Sequence, residues 1–377
     1  MASIITERVT TDLEELGCFA DQTTPLIKNC WYVAGLSSEF SRALLSRRLL
    51  GIDLVLYRTV AGLPVAQRNR CPHRSFPLAK GKLAGDVLSC GYHGMGFGPD
   101  GNCVEMPAMP IVPSYAHLRT FPVVERAPLV WVWMGNADLA DPSLVPDTRW
   151  LSSPDWQSVG GAFPIKSDYI AMHENLLDQT HFPILHPGTV GTPDYMRSTL
   201  DVSVEEDVVV IHRDLKNSPS PGIYAKPTRL GSKPVDRHSE ARFVSPALHT
   251  AYATITDPNP GERGRERYRF NITHAFTPET QNTIHYWWFN SRDFNLDDEQ
   301  ADQFLRDASA KAYAEDLDAL EWISELVQRD VEPQFDFNFA PDKPGLLMRR
   351  ILYRLACAEN GQNSPEADTS CADNCKQ

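Results

Sequence analysis

The sequence contains no apolar run that approaches the length of a membrane span. Its first residues also lack the basic segment followed by an apolar stretch that marks a secretory signal peptide. An excess of positive charge is missing too, because 36 Lys and Arg stand against 49 Asp and Glu, for a formal net charge of −13. Nucleic acids and anionic membrane surfaces attract basic proteins, so neither partner is expected. We therefore expect a cytoplasmic protein that acts on a small molecule.

Two further features are missing. No Gly-x-Gly-x-x-Gly follows a strand-like segment, so the chain is not expected to bind a nicotinamide or flavin nucleotide itself. The eight cysteines show no disulfide framework, which suits a reducing compartment. Cys371 and Cys375 lie in a polar, acidic C-terminal segment whose composition predicts disorder. At 377 residues and 42% hydrophobic content, the chain is long enough for two domains.

Two short Cys/His pairs form the most specific motif: Cys71-x-His73 and Cys90-x-x-His93. Two thiolates and two imidazoles suit one Rieske [2Fe–2S] cluster, whose potential lies well above that of a four-Cys cluster. The turns that such loops need are supplied by Pro72, Pro77, Gly91, Gly94, Gly96 and Gly98. The alternative is a Cys₂His₂ zinc site. The order of ligands differs from that of zinc fingers, which favours the cluster.

A second set of possible ligands follows in the pattern Asn-x2-Asp-x2-His-x4-His, formed by Asn175, Asp178, His181 and His186. Helical spacing predicts Asn175, Asp178 and His181 within about a third of the circumference of one helix. Pro183 is expected to end or kink that helix, so that both imidazoles converge. Two histidines suit ferrous iron but leave it short of an anionic ligand.

The third ligand is sought in a long helix predicted from about 297 to 330. Its apolar stripe is predicted to consist of Ala312, Tyr313, Leu317, Leu320, Ile323 and Val327. Asp316 falls inside this stripe, whereas Glu315 falls on another face. A buried carboxylate needs a compensating cation. Bound iron and a Lys or Arg from elsewhere in the chain are both possible on this evidence.

These motifs make the sequence similar to the Rieske non-haem iron oxygenases, in the branch of vanillate O-demethylase and dicamba monooxygenase. The resemblance rests on the two Cys/His pairs, on Asn-Cys-Trp-Tyr-Val-Ala at 29–34, and on Val-Glu-Arg at 124–126 with Leu-Val-Trp-Val-Trp at 129–133. Met95 stands where the family often has Trp, which changes packing near the cluster but removes no ligand. The resemblance covers nearly all of the chain except its ends.

The resemblance implies that His181, His186 and Asp316 form a facial triad around a mononuclear iron, because the Glu315-Asp316 pair falls where this branch places its iron carboxylate. Cys71, His73, Cys90 and His93 would then hold the Rieske cluster. Three open coordination positions would remain on the iron for oxygen and water.

Two polar residues near the triad take separate roles by resemblance. The family's corresponding Asp forms hydrogen bonds between an iron-ligating His and the Rieske His of a neighbouring subunit, which implies that Asp178 connects His181 with His93 of another copy. Asn175 would lie beside the iron as a weak ligand or a hydrogen-bonding neighbour. The alternative for both is an ordinary polar helix edge. The same resemblance implies a head-to-tail homotrimer.

The predicted fold class is α+β, with an N-terminal extension (1–28), an all-β Rieske domain (29–148), a catalytic domain (149–356) and an acidic tail (357–377). By resemblance, the catalytic domain is a helix-grip (START-like) fold with an antiparallel sheet. Strand-like patterns occur at 202–212, 241–255, 268–276 and 283–290. Residues 216–237 read as a mobile loop that covers a substrate entrance, or as a surface excursion, and their basic residues would favour an anionic substrate.

Pocket residues are harder to assign. His274 matches a segment that faces the substrate in the demethylase branch. Aromatic content alone adds His249, Trp287, Trp288 and Phe289, for which a role in the core is the alternative. Together they suggest an aromatic or otherwise flat apolar substrate.

The implied activity is that of the oxygenase component of a multicomponent monooxygenase, which uses O2 to hydroxylate or O- or N-demethylate a small organic substrate. Electrons from NAD(P)H would arrive through a separate reductase or ferredoxin, since the chain shows no nucleotide-binding motif. One alternative is a ring-hydroxylating dioxygenase that forms a cis-diol. The other is a non-catalytic Rieske electron carrier, which would have one cluster and no mononuclear iron.

Overall fold

The computed structural model describes residues 18–109, 111–196, 198–261, 264–330 and 337–361. They form two compact units. The N-terminal unit comprises Lys28–Arg149 together with Thr277–Gln281, and the C-terminal unit comprises the remaining described residues. Across these ranges no helix has the length and apolar character needed to cross a membrane. Cys371 and Cys375 of the predicted tail lie outside the described residues.

The N-terminal unit is built from short strands, as predicted. They are β1 (Trp31–Leu36), β2 (Leu45–Leu49), β3 (Ile52–Arg58), β4 (Pro64–Arg68), β5 (Lys82–Ala84), β6 (Val87–Ser89), β7 (Gly96–Phe97), β8 (Cys103–Glu105), β9 (Thr120–Phe121), β10 (Val123–Arg126) and β11 (Leu129–Trp133). Three antiparallel sheets result, in the orders β1-β11-β10, β2-β3-β4-β9 and β5-β6-β7-β8. Trp31 and Trp131 are among its largest fully buried side chains.

Five residues of this unit come from a distant part of the sequence. Thr277 Oγ1 donates a hydrogen bond to Val33 O (2.7 Å). The amide of Leu50 donates to Pro278 O (2.7 Å), and the amide of Gly51 donates to Glu279 O (2.8 Å). The predicted domain boundary of 29–148 omitted this segment, because a local pattern carries no signal for pairing across more than 200 positions.

The C-terminal unit contains one seven-stranded sheet and five α-helices among its described residues. Its strands are β12 (Gln157–Ile165), β13 (Asp201–Glu205), β14 (Val208–Ser218), β15 (Val235–Ser245), β16 (Leu248–Thr256), β17 (Arg267–Pro278) and β18 (Ile284–Arg292), in the sheet order β12-β18-β17-β16-β15-β14-β13. Its helices are α1 (Tyr169–Leu177), α2 (Phe182–Leu185), α3 (Gly222–Ala225), α4 (Glu299–Arg329) and α5 (Lys343–Glu359). The α+β class with an antiparallel catalytic sheet is confirmed.

Two of the predicted strand segments proved to be hairpins. The segment 202–212 splits into β13 and β14 at a turn in which Glu206 has a φ of 56°. The segment 241–255 splits into β15 and β16, which pair as antiparallel neighbours. Residues on β15 alternate between buried and more exposed, since successive side chains of a strand point to opposite faces. The buried face of β15 contains Arg237, Ser239 and Ala241.

Helix α4 carries the predicted acidic ligand. Its N-cap is Asp298, whose side chain accepts from the amides of Gln300 (3.1 Å) and Ala301 (3.0 Å). Asp316 is only 6% exposed, as expected for a carboxylate within the apolar stripe. The predicted apolar stripe is longer than the buried face of the helix, however, because Ile323 and Val327 are exposed. The helix packs on the sheet through β12 and β18, and its C-terminal turns carry their apolar side chains into solvent.

Two other expectations need correction. Cys357, assigned to the tail, lies inside α5, which continues to Glu359. Residues 216–237 are not one continuous loop, because β14 extends to Ser218, α3 follows, and β15 begins at Val235. The three residues after the first position of α3 are buried, which shows that part of this segment packs into the unit.

Candidate metal centres

The two predicted cluster loops have the same backbone hydrogen-bond pattern. The amide of Cys71 donates to the carbonyl of Phe76 (2.9 Å), and the carbonyl of Cys71 accepts from the amide of Ser75 (2.9 Å). The Cys90 loop repeats both bonds, at 2.7 and 3.0 Å. The fourth residue after each cysteine has a positive φ, of 58° at Ser75 and 75° at Gly94. Glycine adopts this conformation readily, so Gly94 serves the second turn directly.

The four predicted cluster ligands come together with contrasting exposure. The rings of His73 and His93 are exposed, with centroids 4.5 Å apart, whereas Cys71 and Cys90 are buried. Burial raises the pKa of the Cys71 thiol, and the adjacent Cys90 raises this pKa further. Two adjacent buried sulfurs next to two exposed imidazoles fit an iron pair with thiolates on one iron and imidazoles on the other.

The two proposed iron-ligating histidines meet Asp316 at one oxygen. His186 Nε2 lies 2.9 Å and His181 Nε2 lies 3.4 Å from Asp316 Oδ1. One ligand atom from each residue lies within 4.8 Å of the others. His186 and Asp316 are buried, and the His181 side chain is 17% exposed. Two imidazoles and one carboxylate that converge on one face fit a non-haem ferrous site.

Each of these imidazoles is held on its other nitrogen by a second carboxylate. His181 Nδ1 lies 3.4 Å from Asp178 Oδ2, and His186 Nδ1 lies 2.7 Å from Glu315 Oε2. A carboxylate at Nδ1 fixes the tautomer in which Nε2 offers its lone pair to a metal. Sequence reasoning missed this function of Glu315, since it placed that residue on another face of α4. The available signal was its position directly before Asp316.

The charges of the site are strongly coupled. Burial lowers the pKa of His181, but hydrogen bonds with Asp178 and Asp316 prevail and raise this pKa to about 9. Burial raises the pKa of Asp316, but the two imidazoles prevail and lower it to about 2. The imidazoles and Asp316 are therefore held as a cation–anion cluster, in which a divalent metal would replace the imidazole protons.

Asn175 and Asp178 lie near the triad, although not on one helix as predicted. Helix α1 ends at Leu177, because Asp178 Oδ1 accepts from the amide (2.7 Å) and hydroxyl (2.6 Å) of Thr180 and so turns the chain. Asn175 Nδ2 donates to Asp316 Oδ1 at 3.1 Å. His181 follows in the turn, before the short helix α2.

A cavity of about 90 Å³ adjoins the triad. His186 and Asp316 line it together with Asn175. Ile223 and Tyr224 of α3 contribute to its wall, so the segment predicted as a loop does reach this cavity. No Lys or Arg is present among the described lining residues.

The predicted pocket residues divide into two groups. His274 and His249 line the cavity. Trp287, Trp288 and Phe289 are buried on β18 but are absent from the described lining, so they belong to the core. His274 is 4% exposed, and its Nδ1 lies 2.7 Å from the hydroxyl of Tyr286. Burial lowers the pKa of His274 to about 4, which keeps this ring neutral.

A second cluster of possible metal ligands lies elsewhere on the sheet, at His212, His238 and Glu240. Its rings are more exposed, and Asp214 Oδ1 lies 2.9 Å from His238 Nδ1. The guanidinium of Arg242 binds Glu240 directly. A metal ion would have to displace this cation, so the cluster fits iron less well than the triad does.

Two family models match the chain. The Rieske [2Fe-2S] domain matches residues 30–116, and the vanillate O-demethylase oxygenase C-terminal domain matches residues 165–358. The iron-sulfur subunit of the toluene-4-sulfonate monooxygenase system of Comamonas testosteroni is 35% identical over 358 residues, which span 90% of this chain and 99% of that protein. The oxygenase component of dicamba O-demethylase from Stenotrophomonas maltophilia is 34% identical, over 76% of this chain and 84% of its own length.

Solved structures of dicamba monooxygenase have the same fold as this chain. Dicamba monooxygenase bound to 3,6-dichlorosalicylic acid superposes with a TM-score of 0.82 at 30% identity, over 89% of this chain and 99% of that one. A structure of the same enzyme with non-haem iron and dicamba gives a TM-score of 0.76 at 29% identity, over 90% of this chain and 100% of that one. The Rieske domain excludes the zinc alternative for the two Cys/His pairs.

Proposed function

Since the chain belongs to the Rieske non-haem iron oxygenases with a vanillate O-demethylase type of C-terminal domain, we propose that it hydroxylates or O- or N-demethylates an aromatic or similar small organic substrate. The observation that carries this proposal is the cavity lined by His186 and Asp316, two of the three proposed iron ligands. A substrate in this cavity would lie next to the metal site and away from bulk water.

A cluster held by Cys71, His73, Cys90 and His93 would supply electrons, and iron held by His181, His186 and Asp316 would supply the chemistry that activates dioxygen. The protein's part is to hold the ligands in position. Asp178 and Glu315 fix the two imidazoles, and Asn175 donates to Asp316. If the oxidised carbon is an O- or N-methyl group, the hydroxylated product collapses and releases formaldehyde. The family's demethylating relatives favour this outcome over ring dihydroxylation.

Substrate entry requires the cavity to widen. The cavity has a volume of about 90 Å³. Pockets for larger organic ligands are typically about 300–1,000 Å³. The short helix α3 forms part of the wall, and we propose that its displacement admits the substrate.

The electron supply involves other proteins. We propose a separate reductase or ferredoxin that delivers electrons from NAD(P)H, since the sequence shows no nucleotide-binding motif of its own. We also propose that Asp178 connects His181 with His93 of a neighbouring copy in a homotrimer. Light scattering measures the number of copies in the assembly, and a fully active monomer would contradict the proposed homotrimer. The cytoplasmic location stays a prediction.

The experiment combines purified protein with a surrogate reductase, NADH and a panel of methoxylated, N-methylated and carboxylated aromatics. Oxygen uptake with stoichiometric formaldehyde is expected for a methoxylated or N-methylated member. An Asp316→Asn variant serves as the control, because it should keep the cluster spectrum and lose turnover. A cis-diol as the main product would favour the dioxygenase alternative. A non-catalytic carrier would bind two irons per chain, whereas the oxygenase binds three.

A further inference from the structure

Four side chains that can bind or orient a metal ion lie on one face of the sheet, apart from the iron site. His212 and Asp214 lie two residues apart on β14, and His238 and Glu240 lie two residues apart on β15. Residues two apart on a strand point to the same face of the sheet. In the register of the two strands, His212 lies directly opposite Glu240, and Asp214 lies directly opposite His238. Each imidazole therefore faces a carboxylate of the neighbouring strand.

The distances within this cluster suit a bound metal ion. His212 Nδ1 lies 3.4 Å from Glu240 Oε2, beyond the roughly 2.7–3.2 Å of an N–H···O hydrogen bond. Zinc binds nitrogen and oxygen at about 2.0–2.2 Å in a tetrahedron, so that two of its ligand atoms lie about 3.4 Å apart. One ligand atom from each of His212, His238 and Glu240 lies within 4.8 Å of the others. Three ligands for one ion are therefore close together before the ion binds.

The fourth residue orients one of these ligands. Asp214 Oδ1 lies 2.9 Å from His238 Nδ1. A carboxylate at Nδ1 fixes the tautomer in which Nε2 offers its lone pair to a metal, as Asp178 and Glu315 do at the iron site. Imidazoles bind metals in their neutral form, so the two carboxylates of the cluster supply the negative charge that balances a divalent ion.

Arg242 competes with a metal ion for Glu240. Its guanidinium binds Glu240, and the ion must displace it. The Arg242 side chain is 40% exposed, so this ion pair contributes little, and its loss should lower metal affinity by less than about fivefold. Nickel and copper bind such ligands more tightly than ferrous iron does, and zinc takes imidazole and carboxylate ligands without a geometric preference of its own. The cluster therefore suits one of these ions better than it suits iron.

We propose that His212, His238 and Glu240 bind a divalent transition metal ion such as zinc, in a second metal site that shares no ligand with the iron triad. The ion joins β14 to β15 near the end of their regular pairing. After the pair formed by Leu215 and Arg237 the register shifts, and the chain then leaves the sheet for the segment that contains α3. The ion would stabilise the two strands that flank this segment.

The test uses protein with an intact cluster and bound iron, and zinc chloride is the probe. After zinc addition and gel filtration, metal analysis should give one zinc per chain with the iron content unchanged. The melting temperature should rise with zinc concentration, because the ion binds the folded state. His212→Gln and His238→Gln should each lose the zinc, and Asp214→Ala should weaken zinc binding about 10- to 100-fold. Arg242→Gln should tighten zinc binding by up to about fivefold, because the competing cation is gone.

His285→Gln is the matched control, because His285 lies on β18 and belongs to neither ligand cluster of the described residues. It should take up zinc as wild type does. Melting temperatures of the zinc-free variants show whether each variant folds, so a loss of zinc from a folded variant reports on the ligands. The absence of zinc uptake, zinc that replaces iron instead of adding to it, or zinc retained by both His212→Gln and His238→Gln would each overturn the proposal.

Discussion

Replacement of Glu315 tests whether the carboxylate behind His186 contributes to iron binding. The Glu315 carboxylate lies 2.7 Å from His186 Nδ1, and its side chain is 28% exposed. Lys311 Nζ approaches it only to 3.9 Å and is itself largely exposed, so that ion pair adds little. The hydrogen bond to His186 is therefore the main interaction that Glu315→Ala removes.

The expected magnitude follows from two independent estimates. Loss of a carboxylate that orients a metal-bound histidine typically lowers metal affinity about 10- to 100-fold. A hydrogen bond to a charged group contributes about 1.5–3 kcal/mol. At about 1.4 kcal/mol per factor of ten, these ranges agree. We expect Glu315→Ala to weaken iron binding by about 10- to 100-fold. Glu315→Gln should fall between this variant and wild type, because its amide oxygen still accepts from Nδ1.

The assay is an anaerobic competition between the protein and a ferrous chelator, with cluster absorbance as a check that the N-terminal unit is intact. Asp318→Asn is the control, since Asp318 is exposed on the same helix. Its iron affinity should equal that of wild type. Iron-replete Glu315→Ala should recover most of its turnover, because the triad itself is unchanged. An affinity within about twofold of wild type would refute the proposed contribution of Glu315.

Three further predictions concern other parts of the molecule. Asp178→Asn should retain the cluster and substrate binding but nearly abolish product formation, and normal turnover would contradict its bridging role. Met95 is 7% exposed and packs in the core that contains Cys71 and Cys90, so Met95→Ala should destabilise the N-terminal unit by about 2–4 kcal/mol in thermal melts followed at the cluster absorbance, with Met95→Leu as a mild control. In chelator-treated protein, the raised pKa of His181 stabilises the fold fully below pH 6.5 and loses this effect as pH rises through about 9, so the melting temperature should fall across that interval by an amount equivalent to on the order of 3 kcal/mol. Iron-loaded protein should lack this fall, and identical pH profiles for the two forms would contradict the assignment.

The sequence predicted the parts of the site that depend on local spacing or on an energetic anomaly. His181 and His186 were chosen for their spacing. The cost of burying a carboxylate indicated that Asp316 needs a cation, and only the family resemblance indicated iron rather than Lys or Arg. The prediction that one helix carries Asn175, Asp178 and His181 was wrong. The Asp178 side chain accepts a hydrogen bond from the amide of Thr180 and ends the helix, and hydrophobic periodicity carries no information about such a bond.

The remaining differences depend on tertiary contacts. Ile323 and Val327 continue the apolar period of α4, yet they are exposed, since burial depends on the extent of the sheet beneath the helix. His249 and Trp288 are equally aromatic in the sequence. Only cross-strand register and the shape of the cavity place the first in the cavity wall and the second in the core.

The five residues Thr277–Gln281 have a consequence for protein engineering. A gene fragment that encodes only Lys28–Arg149 would lack the acceptors for the Leu50 and Gly51 amides and the hydroxyl that binds Val33 O. A chimera that exchanges one Rieske module for another at a single crossover would create the same mismatch. Successful grafts should therefore transplant two discontinuous pieces, and libraries made by recombination should favour parents that share both.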